Sequence, residues 1–175
     1  MVILTGGTRE PCPEACQLPR KTPASGKNRG PGGQWHRVYF SADRNRWWCI
    51  TVESILIVED DGLIALYLTE LMENTGYLIV GTVSTGEMVL RLLEDYLKPD
   101  LILMDIGLAG SLDGIETARR VRQKFSVPVI FVTAYTSEIT LERIQEIAPE
   151  GYIGKPFLDN EIHALIRKVL DQRAK

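Results

Sequence analysis

The chain has 175 residues, 45% hydrophobic and 25% charged, with a formal net charge of −3. These values fit one soluble globular domain with an extension, and they exclude a low-complexity or uniformly basic chain. No apolar run reaches the ~18 residues of a membrane helix, and Met1 to Glu10 lacks the basic and apolar blocks of a secretory signal, so a cytoplasmic location is expected and no membrane contact is.

The average hides a split. Residues 1–50 hold 8 Lys/Arg against 3 Asp/Glu, whereas residues 51–175 hold 12 against 20. All three cysteines (Cys12, Cys16, Cys49) and all three tryptophans (Trp35, Trp47, Trp48) fall in the first fifty. The rest has no thiols, which fits a reducing compartment.

Residues 5–33 are rich in Gly, Pro, Ser, Thr and Lys and show no periodicity, a composition that buries too little apolar surface to offset its ordering entropy. They are expected to be disordered. Arg37 to Phe40 and Trp47 to Val52 read as a hairpin across Ala42 to Asn45. Cys12 and Cys16 lack a second ligand pair, and His36 alone does not complete a zinc site. The basic balance and the tryptophans suggest nucleic acid, but a solvated extension without its own function is the simpler reading. Residues 1–52 are therefore taken as an N-terminal extension, disordered or upstream of a natural start near Val52, and residues 53–175 as the functional domain.

From residue 53 a unit repeats. Ser54 to Val58 reads as a strand buried on both faces, and it ends in Glu59-Asp60-Asp61. Residues 62–74 follow as a helix capped by Asp61, with Leu63, Ile64, Leu66, Tyr67, Leu71 and Met72 on its apolar face. Tyr77 to Val83 is a second strand. Thr85 to Leu97 is a helix with Met88, Val89, Leu92, Leu93 and Tyr96 inward. Leu101 to Met104 is a third strand running into Asp105. Asp113 caps a helix over 114–125 with Ile115, Ala118, Val121 and Phe125 inward. Val127 to Val132 is a fourth strand ending at Thr133, followed by a helix over 137–147. Gly151 to Ile153 is a short fifth strand near Lys155-Pro156, and 159–173 a last helix with Ile162, Leu165, Ile166, Val169 and Leu170 inward.

Five strands alternating with five helices in about 125 residues imply right-handed crossovers and a parallel sheet covered on both faces. The count fits a flavodoxin-like (βα)5 three-layer sandwich of strand order 2-1-3-4-5, in which ligands collect at the carboxyl edge. That order brings Glu59, Asp60 and Asp61 beside Asp105, with Thr133 and Lys155 on the same edge. Crowded carboxylates repel, and a divalent cation removes the conflict; oxygen-only ligands with room for water suit Mg²⁺. A carboxylate beside such a metal can attack phosphorus, with Lys155 and Thr133 placed to hold phosphoryl oxygens. No Gly-x-x-x-x-Gly-Lys-[Ser/Thr] loop is present, which disfavours a nucleotide site. Taken singly, Asp60 and Asp61 read equally well as helix caps, Thr133 as a strand end and Lys155 as a surface charge. Four strand ends delivering an acid pair, an acid, a hydroxyl and a lysine are more specific.

Residues 53–173 closely resemble the receiver domain of two-component response regulators. The motifs are Ile-Leu-Ile-Val-Glu-Asp-Asp (55–61), Leu-Ile-Leu-Met-Asp (101–105), Asp-Gly-Ile-Glu (113–116), Val-Thr-Ala (132–134) and Gly-Tyr-Ile-Gly-Lys-Pro-Phe (151–157). The resemblance implies that Asp105 is the phosphoacceptor. It implies that Asp60 binds Mg²⁺ directly and Glu59 through water, with the Gly107 carbonyl as a further ligand. Thr133 and Tyr152 resemble the switch pair and Lys155 the phosphate-contacting lysine, aimed by a cis Lys155-Pro156 bond. Phosphorylation would move Thr133, draw Tyr152 inward and change a surface of the fourth helix, fifth strand and fifth helix. The segment Ile106 to Leu112 is long and lacks proline, Gly107 has no side chain to orient water, and Tyr135 is a bulky neighbour. These departures imply slow hydrolysis of the acyl phosphate.

The implied partners are a sensor histidine kinase or a histidine phosphotransfer protein upstream and a protein target downstream, with a homodimer through the switch surface as a further option. The sequence stops at Lys175, after the fifth helix, with no helix-turn-helix or catalytic domain following, so the expectation is a stand-alone receiver that does not bind DNA and is a phosphoacceptor rather than a free-standing enzyme. Three alternatives stay open: a fragment of a longer regulator or hybrid kinase, a phosphorylation-independent interaction module, and a Mg²⁺-dependent phosphatase. The last usually needs an Asp where Gly107 stands.

Overall fold

The computed structural model describes residues 10–11, 26–29, 35–41, 46–95, 97–134 and 137–173. Up to Thr51 they form an antiparallel sheet of β1 (Glu10–Pro11), β2 (Gly26–Arg29), β3 (Trp35–Ser41) and β4 (Arg46–Thr51), in the order β1-β4-β3-β2. β3 and β4 pair from His36 opposite Thr51 to Ser41 opposite Arg46, which is the expected hairpin. β1 and β2 fall within the stretch read as disordered. They are ladders onto the two edges of that hairpin, with Gly26 opposite Val38 and Glu10 opposite Cys49. Composition does not reveal such pairing, because the ladder hydrogen bonds come from a partner strand. Cys12, Cys16, Tyr96 and Tyr135 lie outside the described residues, so the zinc reading and the inward placement of Tyr96 do too.

The second sheet comprises β5 (Ser54–Val58), β6 (Leu78–Val83), β7 (Leu101–Met104), β8 (Val129–Thr133) and β9 (Gly151–Gly154). All are parallel, in the order β6-β5-β7-β8-β9, which is 2-1-3-4-5 counted from β5. The crossovers carry α1 (Gly62–Asn74), α2 (Gly86–Glu94), α3 (Gly114–Lys124), α4 (Glu138–Ile147) and α5 (Asp159–Arg173). β5, β7 and β8 are buried along their whole length, which their unbroken apolar runs anticipate.

The two-residue strand period sorts the core into two layers. Leu56, Val58, Ile102, Met104, Val129 and Phe131 face Val89 and Leu93 of α2, Ile115, Ala118 and Val121 of α3, and Ile144 and Ile147 of α4. Ile55, Ile57, Leu101, Leu103, Ile130 and Val132 face Leu68 and Met72 of α1 and Ile162, Ile166 and Val169 of α5. The starts of α1 to α4 are fixed by side-chain caps. Asp61 accepts from the amides of Leu63 and Ile64, Thr85 from Met88, Asp113 from Glu116 and Ser137 from Thr140.

One apolar face differs from expectation. α1 buries Ala65, Leu68 and Met72, while Leu63 is 80%, Leu66 56% and Tyr67 44% exposed. Residues 63–68 are all apolar, so hydrophobicity alone does not define the face; the i, i+3, i+7 spacing of Ala65, Leu68 and Met72 does. Met88 of α2 is likewise exposed, while Val89 and Leu93 are buried.

Candidate functional site

The carboxyl ends of β5, β7, β8 and β9 bring Glu59, Asp105, Thr133 and Lys155 to one edge. Backbone bonds set the spacing: Asp105 N–H donates to the Val58 carbonyl and Lys155 N–H to the Thr133 carbonyl, both at 2.8 Å. Glu59, Asp105 and Thr133 are buried, whereas Asp60 is exposed. Asp61 belongs to the α1 cap rather than to the acid cluster.

Asp105 is held on both oxygens. Oδ1 accepts from the amides of Ile106 at 2.5 Å and Gly107 at 3.3 Å, and Oδ2 accepts from Lys155 Nζ at 2.7 Å. The same ammonium donates to Glu59 Oε2 at 2.6 Å. One cation thus serves two buried carboxylates, and the titration follows from that imbalance. Burial pushes the Glu59 carboxyl above its ordinary range; the hydrogen bond from Lys155 opposes this and the charge of Asp105 adds to it. Burial works against the charge on Lys155. Hydrogen bonds to Asp105 and Glu59, together with their negative charges, outweigh that effect and hold the ammonium above its usual value.

Carboxylate oxygens of Glu59, Asp60 and Asp105 lie within 4.8 Å of one another. An all-oxygen donor set open to solvent through Asp60 fits Mg²⁺ rather than a thiolate- or imidazole-binding metal. Gly107 adjoins through its amide bond to Asp105. Lys155-Pro156 is cis, as the resemblance implies. Tyr152 pairs in register with Phe131 of β8 and is 52% exposed, outside the buried acid–lysine group. Two features had no signal in the sequence. One is the Lys155–Glu59 contact, which joins residues 96 positions apart. The other is the pairing of Glu87, in the first turn of α2, with Ser111 of the loop after β7.

A family model described as the response regulator receiver domain matches residues 55–167. The chain is 37% identical over 117 residues to the phyllosphere-induced regulator PhyR of Methylorubrum extorquens, covering 66% of this chain and 43% of that protein. It is 36% identical over 119 residues to the transcriptional regulatory protein CpxR of Escherichia coli K12, covering 68% of this chain and 50% of the relative. The chain thus matches about half the length of these curated relatives. Among solved structures, the signal receiver domain of a modulated diguanylate cyclase from Desulfovibrio desulfuricans G20 superposes with a TM-score of 0.66 at 36% identity, over 70% of this chain and 97% of that one.

Proposed function

Because the chain belongs to the response regulator receiver domain family, we propose that it takes a phosphoryl group onto Asp105 from a phosphohistidine of a sensor kinase or phosphotransfer protein. The observation that supports this best is the buried Asp105 carboxylate, 2.7 Å from the Lys155 ammonium and within a 4.8 Å cluster with Glu59 and Asp60.

In this reading an Asp105 oxygen forms the bond to phosphorus as the P–N bond to the donor imidazole breaks, and the electron pair of that bond returns to the imidazole. Glu59, Asp60, Asp105 and the Gly107 carbonyl would hold Mg²⁺, which would supply positive charge to the acid cluster and to the phosphoryl oxygens. Lys155 leaves its shared position between Glu59 and Asp105 to pair with a phosphoryl oxygen, and the Thr133 hydroxyl donates to another. Thr133 and Tyr152 then form the switch, Tyr152 exchanging its exposed position for the space that Thr133 vacates. The readout is a population shift on the surface of α4, β9 and α5, which is offered to a downstream protein or a second copy. The chain acts as a phosphoacceptor that assists its own loading and unloading, not as a free-standing enzyme.

Incubation with acetyl phosphate and Mg²⁺, followed by intact mass, tests the proposal. One added phosphoryl group is expected, absent when Mg²⁺ is chelated before the donor is added and absent in Asp105→Asn. An unmodified wild-type mass would leave a phosphorylation-independent interaction module as the better account.

A further inference from the structure

The turn between β6 and α2 supplies no group to the phosphoacceptor chemistry, yet it is fastened to the loop that does. Glu87, in the first turn of α2, accepts two hydrogen bonds on Oε1 from Ser111: the backbone N–H at 3.0 Å and the hydroxyl at 2.5 Å. These bonds hold its carboxyl below the ordinary carboxylate range. Its other oxygen lies 2.7 Å from where a Cβ on Gly110 would stand, and the φ of +99° at Gly110 is one that favours glycine. The neighbouring Ala109 forms an isolated parallel bridge with Thr85. Gly86 packs against the same loop and α3, where a Cβ would stand 3.0 Å from Leu112 Cβ and 2.0 Å from Thr117 Oγ1. Thr85, Gly86 and Glu87 therefore grip Ala109 to Leu112 from one side. At the root of the loop the Ile106 carbonyl accepts from Leu108 N–H at 3.1 Å and Gly114 N–H at 2.9 Å. Gly107 lies between these two fastenings.

We propose that Glu87 is a positioning residue for the metal site. By clamping Gly110 and Ser111 it fixes the loop from Ile106 to Leu112, and with it the Gly107 peptide, against Asp105. The inference rests on the reading of Glu59, Asp60 and Asp105 as Mg²⁺ ligands. Groups that orient a metal's ligands commonly govern affinity without touching the ion. A seven-residue loop containing two glycines needs such a restraint, because it loses much backbone freedom when it is ordered.

Calorimetric titration of Mg²⁺ into the full chain tests this with wild type, Glu87→Ala, Glu87→Gln, Ser111→Ala and Asp60→Asn. Glu87→Ala is expected to weaken Mg²⁺ binding roughly three- to tenfold, the range of one or two ordinary hydrogen bonds, and to speed amide exchange from Gly107 to Ser111. Glu87→Gln keeps an acceptor oxygen for both Ser111 bonds and retains most of the affinity. Ser111→Ala keeps only the backbone bond and falls between them. Affinity of Glu87→Ala within twofold of wild type would overturn the clamp. So would equal losses in Glu87→Gln and Glu87→Ala, which would point to charge alone. If Asp60→Asn binds Mg²⁺ as wild type does, the metal reading itself fails, and the clamp fails with it for that separate reason.

Discussion

Replacing Lys155 with Met tests whether the site is a set of buried carboxylates held by a single internal cation. The ammonium lies 2.6 Å from Glu59 and 2.7 Å from Asp105, and the lysine side chain is only 13% exposed. Removing one partner from a buried ion pair typically costs ~3–5 kcal/mol, because the remaining charge is left uncompensated. The cleft opens to water at Asp60, and Glu59 can escape by protonation, so a loss of about 2–3 kcal/mol near neutral pH is expected. The pH dependence has a definite sign. The Glu59 carboxyl already sits above its ordinary 4.5, and loss of the Lys155 hydrogen bond raises it further. A carboxyl raised in the folded state supports the fold below its unfolded value and loses that support as pH rises through the folded value. The deficit is therefore largest near neutrality and shrinks on acidification. Mg²⁺ at about a hundredfold excess over its dissociation constant adds about 2.7 kcal/mol to a protein that binds it only when folded. It adds more to Lys155→Met, in which no ammonium competes for Glu59 and Asp105, so the deficit narrows. Urea unfolding followed by far-ultraviolet circular dichroism measures this; indole fluorescence does not, since every tryptophan lies in the first fifty residues. Equal midpoints for variant and wild type without Mg²⁺, or a deficit that Mg²⁺ leaves unchanged, would show that Lys155 does not hold the two carboxylates.

Other predictions concern the loops around the site. Gly107 presents no side chain to orient an attacking water, so the acyl phosphate of the purified protein is expected to last minutes or longer after removal of donor; loss within seconds, followed by intact mass, would contradict this. Gly114→Ala places a Cβ 2.0 Å from the Asp105 carbonyl oxygen and 2.8 Å from Ile106 Cα, both backbone atoms that cannot swing aside. It should cost about 3 kcal/mol in urea unfolding and slow phosphorylation by acetyl phosphate. Asp113 is opposed by burial, but the Glu116 amide and the Arg143 guanidinium outweigh it and hold the carboxyl below its ordinary 3.8. A depressed carboxyl stabilises the fold above its unfolded value and loses that effect as pH falls through the folded one. Asp113→Asn should therefore be less stable than wild type above pH 3.8, with the two curves converging below it. A gap that persists in acid would contradict the assignment.

The strand order and the convergence of Glu59, Asp60, Asp105, Thr133 and Lys155 on one edge are legible because the central strands carry apolar runs (Ile55 to Val58, Leu101 to Met104, Val129 to Val132) that end in Glu59, Asp105 and Thr133. The helix starts were legible because Asp61 and Asp113 act locally, two or three residues from the amides they cap. What the sequence left hidden depends on neighbours far along the chain. The face of α1 is chosen by the sheet beneath it, which takes Ala65 and Leu68 and leaves Leu63 and Leu66 in water. The strands Glu10–Pro11 and Gly26–Arg29 exist as partners of a hairpin rather than through their own composition. Lys155 reads in the sequence as a contact for phosphate, and only the folded arrangement shows it bridging Glu59 and Asp105.

The alternation of side chains along β5, β7 and β8 makes the sheet a partition. Ile55, Leu101 and Ile130 belong to the compartment under α1 and α5, while their chain neighbours Leu56, Ile102 and Val129 belong to the one under α2, α3 and α4. Between the two compartments lie strand backbones that parallel ladders hold on both flanks. A substitution under α2, α3 or α4 thus leaves in place the side chains of α1 and α5 that pack on the opposite face of the same strands, whose ends carry Glu59 and Asp105.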